Sequence, residues 1–429
     1  MKTYINPSKS EWSNLIKRPE LKAQELSDVV STIFRTVEKM GDSAVRGYTK
    51  QFDKVEIIDS RVSPAEIEEA CQLITQDLKD AMELASTNIR TFHAAQTEKT
   101  TVIETQIGVR CWRESRAIEK VGLYIPGGTA PLFSTVLMLG IPAQLAGCLR
   151  VVLCSPPSVD GKINPAILYA AQLVGITEIY KAGGVQAIAA LAQGTETIPK
   201  VDKIFGPGNQ YVTAAKSYAL TKGIAIDMPA GPSEVLVIAD ETSNPAFVAA
   251  DLLSQAEHGA DSQVILLSTS QLILSQVQTE IQTQLAELPR MDIAIDALNN
   301  SSLIQLDSLE ECIQLSNEYA PEHLILAFDS AQQFIPNISN AGSVFIGKYS
   351  CESAGDYASG TNHTLPTNGY ARNYSGVSLD SFVKKITFQE LNEQGIQTIG
   401  PAIEIMAEAE QLIAHKNAVS IRLKTLNNV

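Results

Sequence analysis

Short hydrophobic runs alternate with alanine-rich helical segments through most of the chain. The runs are rich in β-branched residues, and several of them end in glycine before a helical pattern begins. The strands predicted from these runs lie at 119–126, 150–157, 177–181, 202–205, 234–240, 262–268, 324–328 and 343–347. Alternation at this spacing is typical of right-handed βαβ units, in which helices cover both faces of a parallel sheet. We therefore predict an α/β fold with two incomplete, Rossmann-like parallel-sheet domains whose ligands bind at the carboxyl ends of the strands.

The two ends of the chain follow a different pattern. Apolar positions three and four residues apart predict helices over most of residues 1 to about 90, and the segment from about 377 contains one long amphipathic helix. A segment of roughly 50 residues is marginal for a core of its own, so it should dock on something larger. The predicted parts are a helical N-terminal segment at 1–20, a discontinuous first α/β domain at 21–123 and 233–376, a second α/β domain at 124–232, and a C-terminal segment at 377–429.

Composition and charge exclude several classes of protein. With 429 residues and 45% hydrophobic residues the chain has enough apolar surface for packed cores, which excludes wholesale disorder. The net charge is −15 and no basic stretch stands out, so nucleic acid is not expected as a partner. No signal peptide or long apolar span is visible, which predicts a soluble cytoplasmic protein without membrane contact. The 6 cysteines are scattered without a CxxC pair, so we expect reduced thiols used for packing rather than a thiol nucleophile.

Three glycine-bearing turns each lie where a predicted strand gives way to a helix. They are Ile125–Gly128, Lys181–Gly184 and Phe205–Asn209. Backbone amides at such turns can hold a pyrophosphate, because glycine permits close approach and the helix N-terminus favours an anion. The sequence has no GxGxxG motif, since Tyr211 occupies the third glycine position, and it has no Walker lysine motif. The turns alone therefore favour a nucleotide site about as much as ordinary strand-to-helix turns.

A glutamine and a histidine share the end of one predicted helix. Gln255 and His258 are three residues apart, and Gly259 is expected to end the helix. A metal-ligand pair is geometrically possible there. Glutamine is an uncommon metal ligand, so spacing alone favours a histidine that caps the helix C-terminus.

Two further places carry residues suited to proton transfer or metal binding. Glu322 and His323 follow Pro321 at a helix-to-strand junction, where they could supply a carboxylate and an imidazole or form a solvated turn. The segment 349–369 is rich in small and polar residues and too long for an ordinary connection. Within it Asp356 and His363 could ligate a metal or order the loop, and spacing does not decide between these roles.

A set of motifs, taken in order and spacing, gives a much more specific indication. The motifs are YIPGGTAPLFSTVLML, GGVQAIAALAQGT, KIFGPGNQYV, DMPAGPSEVLVIAD, DLLSQAEHGADSQVILL, EYAPEHL, SAGDYASGTNHTLPT and AEQLIAHKNAV. Together they resemble the histidinol dehydrogenase family over nearly the whole chain. The resemblance implies oxidation of L-histidinol through L-histidinaldehyde to L-histidine with two NAD⁺, and one non-redox Zn²⁺ per active site.

The resemblance also implies roles for individual residues. The zinc ligands would be Gln255, His258, Asp356 and His415. A ligand role for His258 replaces the interpretation that it caps the helix. The base would be His323 and the water activator Glu322, and both, like the zinc ligands, would also contact the substrate. Further substrate contacts would be Ser233 and Glu410, and the NAD contacts Tyr124, Gln186 and Asn209.

The family further implies a homodimer whose C-terminal segments complete each other's active sites. In that arrangement residues 124–232 bind NAD, and most catalytic residues lie in the first α/β domain. Glu410 and His415 are five residues apart, about 140° around an ideal helix, so they can face one ligand only if the helix distorts or ends nearby. Their pairing therefore rests on resemblance.

Three alternatives remain at this stage. A related dehydrogenase could oxidise a different small alcohol, and a zinc hydrolase could use Glu322 with metal-bound water. A non-catalytic nucleotide-binding subunit is the third, although it would not need Glu322, His323 and a metal set together.

Overall fold

The computed structural model describes residues 1–19, 23–127, 131–229 and 231–427. Its strands are β1 (Lys2–Ile5), β2 (Ile103–Gln106), β3 (Val109–Ala117), β4 (Lys120–Tyr124), β5 (Arg150–Ser155), β6 (Glu178–Lys181), β7 (Lys203–Phe205), β8 (Ala225–Ile226), β9 (Glu234–Ala239), β10 (Gln263–Ser268), β11 (Ser302–Gln305), β12 (His323–Leu326), β13 (Ser343–Ile346) and β14 (Val383–Leu391).

The α-helices connect these strands and form both ends of the chain. They are α1 (Trp12–Leu15), α2 (Ala23–Met40), α3 (Asp42–Phe52), α4 (Pro64–Leu73), α5 (Gln76–Ala94), α6 (Phe133–Ala146), α7 (Pro165–Leu173), α8 (Gly184–Gln193), α9 (Gln210–Thr221), α10 (Pro245–Ala256), α11 (Gln271–Leu285), α12 (Met291–Asn299), α13 (Leu309–Tyr319), α14 (Glu352–Tyr357), α15 (Glu393–Ala409) and α16 (Ile413–Asn427). Short 3₁₀ helices lie at Lys9–Glu11, Ala331–Asn337, Tyr370–Arg372 and Leu379–Phe382.

Two parallel sheets confirm the predicted α/β fold. One has six strands in the order β1-β11-β10-β9-β12-β13, and the other has five in the order β6-β5-β4-β7-β8. In β9, Val235 and Val237 pack against α10 and α11, whereas Leu236 and Ile238 pack on the opposite face with α13. Such a strand is buried on both faces, which explains why it reads as a continuous apolar run.

The sequence pattern missed one sheet and three strands of the other two. The antiparallel sheet β14-β3-β2 was not predicted, nor were the strands β1 and β11 of the six-stranded sheet and β8 of the five-stranded sheet. Strand β3 mixes charged residues with few apolar ones and is largely exposed or half-buried. Because one face of such a strand meets solvent and its partner β14 lies far away in sequence, no local hydrophobic run marks it.

The N-terminal helices pack on the five-stranded sheet. Hydrophobic residues of α2 and α3 share a cluster with α8, α9 and that sheet, and those of α4 and α5 share a second cluster with α6 and α7. The predicted division instead groups residues 21–123 with 233–376, and the division into domains stays a prediction. Among the described residues, no helix combines the length and apolar character needed to cross a bilayer.

A buried ion pair holds the turn that follows β7. Lys216 Nζ donates to the carbonyl oxygen of Gly206 over 2.9 Å, and Asp227 Oδ2 accepts from the Gly206 amide over 2.8 Å. Lys216 and Asp227 also contact each other, with side chains 2% and 0% exposed. Gly206 has φ +130°, and a Cβ there would collide with the carbonyl oxygen of Tyr124. The pair thus fixes a backbone position that only glycine fits.

Replacing Lys216 with Met should lower the free energy of unfolding by about 3–5 kcal/mol, because Asp227 would stay buried without its partner. Urea denaturation followed by circular dichroism measures this loss. The matched control is Lys162→Met, since the pair of Lys162 with Glu69 is about half exposed and should contribute about 0–1 kcal/mol. Equal effects of the two substitutions would contradict the structural role of the buried pair.

Candidate active site

The candidate catalytic residues lie at the amino-terminal edge of the six-stranded sheet. His323 is the first residue of β12 and pairs in register with Val235 of β9. The glycine turns of the five-stranded sheet, in contrast, follow the carboxyl ends of β6 and β7. Those turns lie where ligands are expected, at the carboxyl ends of strands. The candidate catalytic residues lie instead at the amino-terminal edge of the six-stranded sheet, to which α10 returns the chain with Gln255 in its last turn.

The pair Glu322 and His323 is buried rather than solvated. Glu322 Oε2 accepts from the backbone amide of Glu234 over 2.9 Å, and His323 Nδ1 lies 3.1 Å from the carbonyl oxygen of Glu234. A carbonyl oxygen only accepts, so Nδ1 carries the proton and Nε2 is left as an acceptor. That Nε2 atom makes no hydrogen bond among the described residues and lies 3.5 Å from Asp356 Oδ1. The solvated-turn interpretation is thus excluded, and an imidazole with a free Nε2 results.

Donor atoms suited to a metal ion converge beside His323. One nitrogen of His258 and one carboxylate oxygen each of Glu352 and Asp356 lie within 4.8 Å of one another. Gln255 is buried against them, and its Nε2 donates to Glu352. Among the described residues, its Oε1 atom and Asp356 Oδ1 are buried without a hydrogen-bond partner, and an oxygen-binding cation would satisfy both atoms.

The local structure around Gln255 and His258 differs in detail from the prediction. Helix α10 ends at Ala256, and His258 lies just beyond it with its amide donating to the Gln255 carbonyl over 3.2 Å. Gly259 is therefore not the residue that ends the helix. The side chain of His258 nevertheless faces the same place as that of Gln255, and it reaches the cluster of carboxylates.

Burial and neighbouring charges shift the pKa values of the groups in this cluster. Burial raises the pKa of Glu322 to about 8, and it also raises that of Glu352 to about 8. Burial alone lowers the pKa of His323, but the neighbouring carboxyl groups outweigh it and raise that pKa to about 10. Without a cation, Glu322 and Glu352 therefore favour their protonated, neutral forms near neutral pH, and a bound cation would favour the carboxylate forms. A divalent cation with N and O ligands fits this donor set, and its charge would lower the pKa of His323 again.

His363 orders the loop rather than contributing a ligand. Its Nδ1 lies 3.0 Å from the carbonyl oxygen of Asp356, and its Nε2 lies 3.0 Å from Thr135 Oγ1. Both ring nitrogens therefore have partners in the protein. This arrangement ties the loop around Asp356 to α6.

The predicted cofactor residues lie next to the glycine turns. The hydroxyl of Tyr124 accepts from the amide of Gly184 over 3.1 Å, and Asn209 caps α9. Gln186 is buried in α8, and its Oε1 has no hydrogen-bond partner in the part of the chain that the structure describes. The remaining turn, Ile125–Gly128, ends outside the described residues at Gly128.

A cavity of about 920 Å³ lies between the glycine turns after β4 and β7 and the candidate metal ligand His258. Tyr124 and Asn209 line it on one side, and Ser233 and His258 on the other. Glu322 and His323 are buried and are not among the residues that line it. A cavity of this size accommodates a dinucleotide end and a small substrate together.

The structure does not bring Glu410 and His415 to the cluster within one chain. Both side chains are exposed, and among the described residues α16 packs against α15. Helix α15 ends at Ala409 with Glu410 as its C-cap, and Gln411 has a positive φ of 61°. The helix is therefore broken between Glu410 and His415. The angle of about 140° that an ideal continuous helix would impose on them does not apply.

Three functional candidates were missed from the sequence. They are Glu352, Glu234 and Arg18, all close to the catalytic pair through contacts distant in sequence. Glu352 lies in the segment 349–369 that was predicted to line a site, which was its only signal. No local pattern distinguishes the other two from ordinary surface charges.

The fold and this site define an oxidoreductase of the α/β class. The chain belongs to the histidinol dehydrogenase family, since the family model described as histidinol dehydrogenase matches residues 16–423. A histidinol dehydrogenase from Bacteroides thetaiotaomicron is 58% identical over 426 residues, which cover 99% of this chain and 100% of that protein. One from Salmonella typhimurium is 54% identical over 415 residues, covering 96% and 95%.

A solved structure agrees with this assignment. The crystal structure of histidinol dehydrogenase from Elizabethkingia anophelis superposes with a TM-score of 0.98 at 64% identity, covering 100% of this chain and 99% of that one. An acetylating aldehyde dehydrogenase from Geobacillus thermoglucosidasius, at 15% identity and a TM-score of 0.50, shares the fold alone. The resemblance inferred from the motifs is confirmed, and this oxidoreductase of histidine biosynthesis is neither a hydrolase nor a non-catalytic subunit.

Proposed function

We propose that this chain oxidises L-histidinol through L-histidinaldehyde to L-histidine with two NAD⁺ and one Zn²⁺ per site. The observation that carries the proposal is the buried imidazole of His323, whose Nε2 is free and faces the candidate metal ligands. NAD⁺ supplies the hydride acceptor, and Zn²⁺ supplies charge stabilisation and orientation of substrate nitrogen and oxygen atoms without changing oxidation state.

The metal would be held by Gln255, His258 and Asp356, with His415 donated by a neighbouring copy of this chain. Two features support the first three residues. His258 and Asp356 converge with Glu352 around one point, and the oxygens Gln255 Oε1 and Asp356 Oδ1 have no hydrogen-bond partner among the described residues. The exposure of His415 on the C-terminal segment supports a homodimer with a shared site. Glu410 would contact the substrate from the same neighbouring segment, and Ser233 from the cavity wall.

His323 acts as the general base in both oxidations. Its Nε2 takes the proton of the substrate hydroxyl, and the hydrogen bond from Nδ1 to the Glu234 carbonyl stabilises the resulting imidazolium. After that proton has passed to solvent, the neutral imidazole takes the proton of the aldehyde hydrate in the second oxidation. The hydrogen bond at Nδ1 fixes the orientation of the ring, so Nε2 keeps its position in both steps.

Glu322 would activate the water that hydrates the aldehyde. Its carboxylate is fixed by the Glu234 amide, and it lies 3.7 Å from the ring of His323. Burial raises the pKa of Glu322, which makes the carboxylate a stronger base than an exposed one. The first oxidation needs no water, so Glu322 serves the second.

The cofactor would be bound at the carboxyl edge of the five-stranded sheet. Tyr124 and Asn209 line the cavity there, and Gln186 lies behind them in α8. Neither nucleic acid nor a membrane is needed as a partner for this activity. The cytoplasmic location stays a prediction.

The stoichiometry of the reaction tests the proposed function. Purified protein incubated with L-histidinol and NAD⁺ should form two NADH for each L-histidine. Absorbance at the NADH band and chromatography of the amino acid give the two quantities. A ratio near one would contradict the two-step reaction. No NADH formation at all would contradict L-histidinol as the substrate.

Removal of the metal should abolish both oxidations while the fold remains. Each parallel sheet has its own hydrophobic clusters, so a site that orients substrate is not needed to hold the chain together. Chelator-treated protein should keep its far-ultraviolet circular dichroism and form no NADH from L-histidinol or from the aldehyde. Added Zn²⁺ should restore activity and Mg²⁺ should not, because Mg²⁺ prefers an octahedral set of oxygens. Unfolding of the metal-free protein would make the metal structural instead.

A further inference from the structure

We propose that Arg18 is a positioning residue. It fixes the backbone segments that orient the side chains of Glu322 and His323. The inference rests on the proposed function of that pair, and it assigns a role to a side chain outside both parallel sheets. Arg18 contacts neither catalytic residue directly. It acts through Glu234 and through the turn that precedes Glu322.

The first link is a bidentate ion pair between Arg18 and Glu234. Arg18 Nε donates to Glu234 Oε1 over 2.5 Å, and Nη2 donates to Oε2 over 2.8 Å. The side chains are 16% and 2% exposed, so this pair is shielded from water. The amide of Asn368 also donates to Glu234 Oε1 over 2.8 Å. The carboxylate of Glu234 is therefore fixed on both of its oxygens.

The second link runs through the main chain of Glu234. Its amide donates to Glu322 Oε2, and its carbonyl oxygen accepts from His323 Nδ1. One residue thus orients the carboxylate and sets which nitrogen of the imidazole is free. A shift of the Glu234 main chain would therefore disturb both contacts.

The third link is the turn at the end of α13. Arg18 Nη2 donates to the carbonyl oxygen of Tyr319 over 2.9 Å, and the guanidinium stacks 3.9 Å from the centre of the Tyr319 ring. The next residue, Ala320, has a positive φ of 54°, a conformation that alanine rarely adopts. Pro321 and the catalytic pair follow at once. Arg18 therefore holds the catalytic pair from both sides, by way of Glu234 and by way of this turn.

These contacts require the shape of arginine, since the planar guanidinium reaches two carboxylate oxygens and a carbonyl at once. Lysine would keep the charge but lose the fork and the stacking. A displacement of about 1 Å at catalytic groups can cost about 10²-fold in rate. We therefore expect Arg18→Lys and Arg18→Gln to lower kcat by about 10- to 100-fold, with Arg18→Lys less affected.

The measurement is steady-state kinetics with L-histidinol and NAD⁺, accompanied by zinc content and circular dichroism. A positioning role predicts that kcat falls while KM for both substrates stays within about threefold, because ground-state binding is largely preserved. Glu234→Gln should lower kcat similarly, and the double variant Arg18→Gln/Glu234→Gln should lose less than the product of the single losses.

Arg150→Lys is the matched control. Arg150 also forms a bidentate pair, with Glu178 at 2.8 Å and 2.7 Å, but it lies on the five-stranded sheet. This variant loses a comparable bidentate contact, but the contact is not made to the backbone that orients the catalytic pair. Its kcat should stay at the wild-type value.

The possible outcomes separate the inference from its alternatives. Wild-type kcat in a folded, zinc-loaded Arg18→Lys and Arg18→Gln overturns it. A KM for L-histidinol raised more than tenfold at unchanged kcat also overturns it, since Arg18 lines the cavity and would then bind substrate directly. Failure of both variants to fold would make Arg18 purely structural and overturns it as well. Wild-type protein without NADH formation refutes the proposed function instead.

Discussion

The variant His323→Asn should turn over L-histidinol about 10²- to 10⁴-fold more slowly than wild type, the usual contribution of a positioned general base. The amide of asparagine can still donate to the Glu234 carbonyl, but it offers no basic nitrogen where His323 Nε2 now lies. Steady-state NADH formation measures the loss in protein whose zinc content equals that of wild type.

The control for this variant is a second buried histidine outside the site. His93 is fully buried in α5, where its Nδ1 lies 2.9 Å from the Ile89 carbonyl. His93→Asn should cost stability and leave kcat unchanged below its unfolding temperature. Near-normal turnover in zinc-loaded His323→Asn would reject the role of His323 as the base.

Two inactive variants, His323→Asn and His415→Asn, should regain about a quarter of wild-type activity when their subunits are mixed. In a dimer with shared sites, a mixed pair has one site with both native residues and one site with neither. Random pairing makes half of the dimers mixed, and each has one working site of two. The measurement is NADH formation after subunit exchange, with each variant alone as the baseline.

Subunit exchange itself needs a control. Differently tagged chains, separated by two affinity steps, show how many mixed dimers have formed. If mixed dimers are abundant and still inactive, each site is built within a single chain. His415 would then not be donated by the neighbouring copy.

The local pattern of residues was enough to predict eight of the ten strands between residues 119 and 347 and the helices that alternate with them. Continuous apolar runs such as β9 and β10 are buried on both faces, and the helices between them carry apolar stripes, so each element is marked by its own neighbours in sequence. The motifs around Gln255, His323 and Asp356 identified the family before any contact was known. These signals are local, which is why they can be read without the fold.

Other features depend on partners that are far away in the chain. The sheet β14-β3-β2 pairs Val383 with Ala117, and its half-exposed strands carry no continuous apolar run. The position of the catalytic pair at the amino-terminal edge of its sheet follows from how β9 and β12 align. Helical spacing could not show that Gln411 breaks the C-terminal helix, because nothing in its side chain requires a positive φ.

By itself, the sequence determined the α/β class, the family and the chemical types of residue that such a site needs. Only the tertiary structure decided which charges are buried together. Arg18 and Glu234 are 216 positions apart, and Glu352 and Gln255 are 97 apart, yet each pair meets within hydrogen-bond distance. A charged residue is normally solvated, and it becomes functional only when folding removes the water around it and places a partner there.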